Sequence, residues 1–289
     1  MRLRSSAALA CIAFAVPAWS IAPNTGADST FKYVGLVAGG CGIAIGDHSI
    51  LLAHHAGVPN KIYLDDAPAG IDIDPNSGTR ISTTDITVFH TVQALPGWYN
   101  LVNQSLAYSW TLNEDAGGNI TDTFTGNSSP AEIMMVGYGD TSTLNAGGTG
   151  YDPDEGQSGI RRAAAGRVDY KGDLTLNPAD GKQSFIGSHL SKNGDGVLLA
   201  FDSGGAYMVN VGGEWQVAGL NAAVANAYND QGQPIAMPFT TIGNLNGVWS
   251  IASDLFPYRS QILAAVPEPA SLTALTFGAL ALLRRRRNA

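Results

Sequence analysis

The sequence predicts an all-β protein, a barrel or a sandwich, and three observations carry that prediction. Clusters of Gly, Asn, Asp, Ser and Thr recur about every 8 to 15 residues, the spacing of turns between short strands. The runs between them are strand-length and rich in β-branched and aromatic residues, as in "KYVGLVAG", "SILLA", "DITVFHTV", "EIMMVGYG" and "AYMVNV". Almost nothing before residue 250 sustains a helical period.

In chain order the first strands are expected in "KYVGLVAG", "CGIAIG", "SILLA" and "KIYL", each closed by a Gly, Asn or Asp cluster. "DITVFHTV" follows, then "EIMMVGYG", "GRVDY", "GVLLAF", "AYMVNV" and "EWQVAGLNAAVA". The glycine- and acid-rich stretch from Tyr138 to Gly159 reads as surface loop. "DLFPYRSQILAAV" is the exception to the β pattern. Leu255, Tyr258, Ile262 and Leu263 can share one helical face, which predicts one short C-terminal helix.

The two ends do not belong to this fold. Residues 1–22 carry Arg2 and Arg4, a short apolar core and a small-x-small site at Ala18 to Ser20 or Ser20 to Ala22, the pattern of a secretory signal peptide. Residues 266–289 run from Pro267-Glu268-Pro269 through an apolar stretch, Ala270 to Leu283, into Arg284 to Arg287. An arginine cluster abutting an apolar segment holds that end on the cytoplasmic side of a membrane. The order of these elements resembles the PEP-CTERM sorting signal of exported bacterial proteins. That resemblance implies a hydrophobic sorting helix, an exosortase-type membrane enzyme as partner, and delivery to the cell surface or extracellular matrix.

Without the two ends, 10 basic residues face 23 acidic ones, a net charge near −13. A surface this acidic repels phosphate backbones, which argues against nucleic acid as a partner. Cys11 leaves with the signal peptide, so Cys41 is the one thiol expected in the mature chain, and stability must come from the core rather than from disulfides. Asp72, Asp74 and Asn76 alternate in "DIDPNSG" but lack the glycine and glutamate of a calcium-binding EF-hand loop. No metal site and no cofactor are expected.

Three apolar-flanked segments supply the groups that acyl transfer by a serine requires: a hydroxyl, an imidazole to take its proton, and a carboxylate to orient the imidazole. "SILLAHHAG" places His54 and His55 directly after a strand, "STTDITVF" places Asp85 at the start of another, and "AFDSGGA" places Ser203 in a glycine turn behind Asp202. These segments, in this order, resemble the chymotrypsin/trypsin-like serine proteases. "GGCGIAIGDHSILLAHHA" follows that family's histidine-bearing strand pair, "DITVF" its aspartate segment and "FDSGGA" its Gly-Asp-Ser-Gly-Gly. "VGYG", "EWQVAGLNAAV" and "GVWSIAS" echo later family segments in the correct order, and the likeness spans residues 33 to 264.

The resemblance implies two six-stranded antiparallel β-barrels with the site in the cleft between them, and a peptide or protein substrate for a monomeric enzyme. It divides the chain into residues 23–130 and 131–265, with the break near Ser128 to Glu132. It assigns His55 rather than His54 as base, Asp85 as orienting carboxylate and Ser203 as nucleophile. The backbone N–H groups of Phe201 and Ser203 become the oxyanion donors, and Val197, Ala222 and Val224 the walls of a specificity pocket, with Ala223 between the last two. Phe201 stands where the family has glycine. This departure defines a second function class, a surface or matrix binding protein that keeps the fold without the catalysis.

Overall fold

The computed structural model describes residues 28–267 apart from 140, 155–158, 193, 200, 201, 227–236, 239, 241–244 and 246. The signal peptide, nearly all of the tail and Phe201 therefore lie outside the described residues. Six strands come first: β1 (Val34–Val37), β2 (Gly40–Gly46), β3 (Ser49–Ala53), β4 (Lys61–Leu64), β5 (Ala67–Arg80) and β6 (Ile86–Thr91). They close into a barrel in the order β1-β2-β3-β6-β5-β4, all pairs antiparallel, with Leu36 and Val37 of β1 meeting Tyr63 and Ile62 of β4.

The second half is built from β7 (Asn100–Leu101), β8 (Trp110–Glu114), β9 (Ile120–Phe124), β10 (Glu132–Gly137), β11 (Thr141–Leu144), β12 (Gly150–Asp154), β13 (Arg162–Arg167), β14 (Tyr170–Leu174), β15 (Gln183–His189), β16 (Ala206–Val211), β17 (Glu214–Ala225), β18 (Met237–Pro238) and β19 (Trp249–Asp254). Ten of these strands make one sheet in the order β13-β10-β16-β17-β19-β15-β14-β8-β9, with β7 pairing beside β17. A ten-stranded sheet stands where six antiparallel strands were expected. Two of its pairs, β8 with β14 and β7 with β17, are parallel. The chain from Asn100 to Phe124 pairs into the second sheet, so the first barrel ends with β6.

The expected loop at residues 138–159 is also partly strand. Its β11 and β12 pair with each other, and β12 pairs with β18 in a separate small sheet. Asn145 builds the connecting turn, its carbonyl oxygen accepting from Gly148 N–H and its side chain from Thr149 N–H. Tyr151 is fully buried beneath it and accepts a hydrogen bond from Gly194 N–H at 2.9 Å. A buried tyrosine needs a partner for its hydroxyl, and this one fixes the hairpin against the 190s loop.

All five residues of β3 are buried, which is why "SILLA" shows no polar alternation. Ile50 and Leu52 face the interior of the first barrel with Ile62 and Phe89. Leu51 and Ala53 face the other way, into a cluster shared with Val136, Ala206, Val217 and Leu220 of the second sheet. A strand covered on both faces reads as a continuous apolar run. This shared cluster is the seam along which the two halves meet.

Arg161 crosses that seam. Its guanidinium is buried, donates to both carboxylate oxygens of Asp65 and to Tyr138 Oη, and bonds the carbonyl of Asp28 near the start of the described chain. The chain then ends as the sequence suggests, in a 3-10 turn (Phe256–Tyr258) and α1 (Arg259–Ala265). Leu255 and Ile262 are fully buried in the seam cluster, whereas Leu263 is 40% exposed and turns away from the face it was expected to share. Replacing Ile262 with Ala removes the helix's one fully buried side chain. The expected cost is about 3 kcal/mol, read as a lower denaturant midpoint with an unchanged slope.

Candidate active site

The histidine pair sits in a single 3-10 turn (His54–Ala56) that ends β3. Asp85, in the loop before β6, holds this turn by three bonds. Its carbonyl accepts from His54 N–H at 3.1 Å, its Oδ1 from His55 N–H at 2.9 Å, and its Oδ2 meets His55 Nδ1 at 2.7 Å. The Asp85 side chain is only 7% exposed, whereas that of His55 is 38% exposed and faces the cleft. His54 turns aside instead, its Nδ1 3.1 Å from Thr87 Oγ1.

Ser203 approaches from the second sheet, with Oγ 2.8 Å from His55 Nε2. The three side chains therefore meet across the seam, His55 and Asp85 from the barrel and Ser203 from the turn before β16. A carboxylate can only accept, so Nδ1 carries the proton. Nε2 of the neutral ring is left to accept from the serine hydroxyl.

Burial acts to lower the imidazole pKa. The hydrogen bond and charge of Asp85, with a further contribution from the charge of Asp180, outweigh it and raise the pKa above its ordinary 6.5. The fold thus favours the imidazolium. That contribution to stability is fully present below pH 6.5 and is lost as pH rises through the folded-state value.

The serine turn is clamped from several sides. Cys41 N–H donates to Ser203 O at 2.8 Å, Gly204 N–H to Asn221 O at 2.9 Å, and Asn221 N–H to Gly205 O at 2.8 Å. Gly204 has φ +78°, and a Cβ there would stand 2.2 Å from Cys41 O. Only glycine meets both conditions. A Cβ on Gly40 would meet Ser203 O at 2.5 Å, so β2 also needs glycine where it passes the turn.

Asp202 points away from the cleft and is buried. Its carboxylate accepts from Leu199 N–H at 3.0 Å and Gly139 N–H at 3.3 Å. Burial pushes its pKa well up, against these bonds and the nearby charge of Arg162. Cys41 is buried, and burial raises its thiol pKa well above the ordinary value.

Val197 is fully buried in a cluster with Tyr151, Leu190, Leu199, Met237 and Val248. Val224 packs on that cluster, whereas Ala222 and Ala223 pack against one containing Tyr170 and Trp249. β17 has a second property here. Its pairing with β16 ends at Leu220, while β19 continues alongside as far as Ala225. One backbone edge at residues 222–225, just past the anchor of the serine turn, is uncovered by any strand among the described residues. Among the same residues no cluster of His, Cys, Asp and Glu is arranged to hold a metal.

Two buried groups near the site were absent from the sequence reading. Gln183 Oε1 accepts from Asp85 N–H at 2.9 Å, and Asp180 pairs with Arg80 beside the same loop. They lie about a hundred residues further along the chain, and no local pattern marks them.

Beyond the site, α1 ends at Ala265, and the chain from there matches a known targeting family. Residues 265–287 are a PEP-CTERM protein-sorting motif. The sorting motif marks an exported protein handled through its C-terminus, as its Pro-Glu-Pro, apolar run and arginine cluster suggested. No helix among the described residues is long and apolar enough to cross a membrane.

No curated protein matches the chain. Among solved structures it is similar to neuropsin, a serine protease expressed in the limbic system of mouse brain, with TM-score 0.48 and 12% identity over 81% of this chain and 94% of that one. It is also similar to the Rv3671c protease in an inactive form, with TM-score 0.46 and 14% identity over 88% and 100% of the two chains. A third is the murine norovirus NS6 protease, an inactive mutant, with TM-score 0.39 and 15% identity over 78% and 99%.

Asp85 supplies most of the electrostatic support for the imidazolium. Asp85→Asn should therefore lower the His55 pKa, measured by following its ring resonances through a pH titration, and the contribution to stability should fade at lower pH.

Proposed function

We propose that the chain is an exported serine endopeptidase working through an acyl-enzyme. The observation that carries this reading is the hydrogen-bonded line Asp85, His55, Ser203, with contacts of 2.7 and 2.8 Å. In the first step His55 Nε2 takes the hydroxyl proton as Ser203 Oγ bonds to the scissile carbonyl carbon, and the carbonyl oxygen becomes an oxyanion. The imidazolium then passes that proton to the leaving amine as the carbon–nitrogen bond breaks, leaving an acyl ester on Ser203. Water, deprotonated by the same imidazole, hydrolyses the ester. Asp85 keeps the ring in the required tautomer and stabilises its charged form throughout. The backbone N–H groups of Ser203 and Phe201 serve as the oxyanion donors in this scheme.

The uncovered edge of β17 at residues 222–225 suits an extended peptide, which can add to it as a further strand through backbone bonds. Side-chain selection is expected to be shallow. With Val197 inside a packed cluster, small or medium apolar residues at the cleavage position fit best, and Lys or Arg would find no carboxylate at that position. In this reading export brings the enzyme to the cell surface or matrix, and an exosortase-type enzyme acts on the sorting motif.

A fluorophosphonate probe tests the reading. Wild type should be labelled at Ser203, and Ser203→Ala should not. The labelling rate should rise with pH through a midpoint above 6.5, because only neutral His55 can accept the proton. Asp85→Asn should slow turnover on the order of 10⁴-fold. Absence of labelling on correctly folded wild type would instead support a surface or matrix binding protein, the reading that Phe201 in place of glycine favours.

A further inference from the structure

The loop carrying Asp85 belongs to the first barrel, yet its firmest side-chain support comes from the other half of the molecule. The turn at residues 177–183 joins β14 to β15 in the second sheet. Asn177 shapes it, accepting from Ala179 N–H through its side chain and from Asp180 N–H through its carbonyl. Gly181, at φ +73°, brings the turn against Thr83, whose Oγ1 would lie 3.6 Å from a Cβ there.

Two side chains then reach across the seam. Gln183, 2% exposed, accepts the Asp85 N–H. Asp180, with its side chain 7% exposed, pairs with Arg80 at the end of β5. Arg80 in turn donates to the carbonyls of Thr84 at 2.8 Å and Thr83 at 3.4 Å. The segment from Arg80 to Asp85 is thus fastened at both ends to one turn.

The same turn is in register with the serine. In β15, Phe185 and Ile186 lie opposite Ser253 and Ala252 of β19. In β17, Leu220 and Asn221 lie opposite those same two residues, and Asn221 holds Gly204. Gln183 and Ser203 are therefore both measured from one dipeptide of β19. β19 thereby supplies one register for carboxylate and hydroxyl, alongside the direct contact of the serine turn with β2.

The charged and titratable groups around His55 complete the argument. Asp85 faces it from the loop before β6, Asp180 from the 177–183 turn, and Arg80 reaches the same loop from β5 as the partner of Asp180. Cys41 of β2 is buried with its thiol pKa pushed up, and His54 is turned to Thr87.

We propose that the 177–183 turn is a positioning element for the imidazole. Gln183 sets where Asp85 stands relative to Ser203, and the Arg80–Asp180 pair sets how much negative charge His55 faces. The inference concerns the same site as the peptidase reading and rests on it only for the kinetic half of the test.

The experiment uses the full-length protein and two readouts, the His55 ring titration by NMR and the pH dependence of fluorophosphonate labelling at Ser203. Asp180→Asn should shift both midpoints to lower pH and leave the plateau labelling rate nearly unchanged. Gln183→Ala should lower the midpoint as Asp85 loosens from the ring and, unlike Asp180→Asn, also cut the plateau rate roughly tenfold to a hundredfold, the cost of a misplaced carboxylate. Asp115→Asn, on an exposed turn of the β8–β9 hairpin, should change neither. If Asp180→Asn fails to fold, Arg80→Gln takes its place and should shift the midpoint upward by uncovering the Asp180 charge.

A midpoint indifferent to both charge variants, or a plateau rate unaffected by Gln183→Ala, would overturn the proposal. If wild type itself does not label, the peptidase reading fails, while the ring titration still decides whether the turn governs His55.

Discussion

The two halves of this molecule touch most closely where β2 passes the serine turn, and there is no space for a side chain at that crossing. Gly204 lies against Cys41 O, Gly40 lies against Ser203 O, and the Cys41 amide bonds the same Ser203 carbonyl. Backbone against backbone leaves little play, because neither surface has rotamers to adjust. The serine thereby inherits the rigidity of a barrel strand although it belongs to a turn of the other sheet. Catalytic groups work best when held by elements that do not yield, and here the surrounding seam of Leu51, Val136, Ala206, Val217 and Leu220 keeps water out beside that crossing.

The electrostatics follow from the same arrangement. Asp85 is nearly enclosed, and a carboxylate removed from water needs compensating donors. The backbone N–H and ring Nδ1–H of His55 supply them. One carboxylate thus sets the histidine's position, its tautomer and its charge preference together. Asp202 is buried as deeply one residue from the serine, but it spends its oxygens on backbone amides of Leu199 and Gly139. The two acids have separate tasks: one addresses the ring and the other shapes the turn.

Much of this was legible in the sequence, and the reasons are physical. Five of the six barrel strands and the segments bearing His55, Asp85 and Ser203 are short, apolar and bounded by turn residues, so local pattern finds them; β5, long and largely exposed, does not show itself that way. What escaped were elements whose order comes from partners elsewhere. β11, β12 and β14 read "TSTL", "GYDPD" and "YKGDL", with Gly, Asp and Pro that suggest loop; they are strands because a neighbouring strand completes their hydrogen bonds. Leu263 fits a helical stripe, but α1 is only seven residues long and buries Ile262 alone. The family resemblance assigned Val197 to the pocket wall, and it could not show that Val197 packs with Tyr151 and Met237. The choice of His55 over its neighbour depended on a one-residue offset; in the structure two bonds to Asp85, from its N–H and its Nδ1, hold His55 with Nε2 toward the serine.

The end of α1 bears on where the packed fold gives way to the sorting motif. The sorting motif begins at Ala265, the last residue of the helix, and Val266 still rests on the seam with its Cγ1 2.9 Å from where a Cβ of Gly46 would stand. The domain and its address label therefore overlap, with no spacer between them. Severing the chain ahead of Val266 would strip packing from the rim of β2, whereas severing it after Pro267 would leave every buried contact of the helix in place.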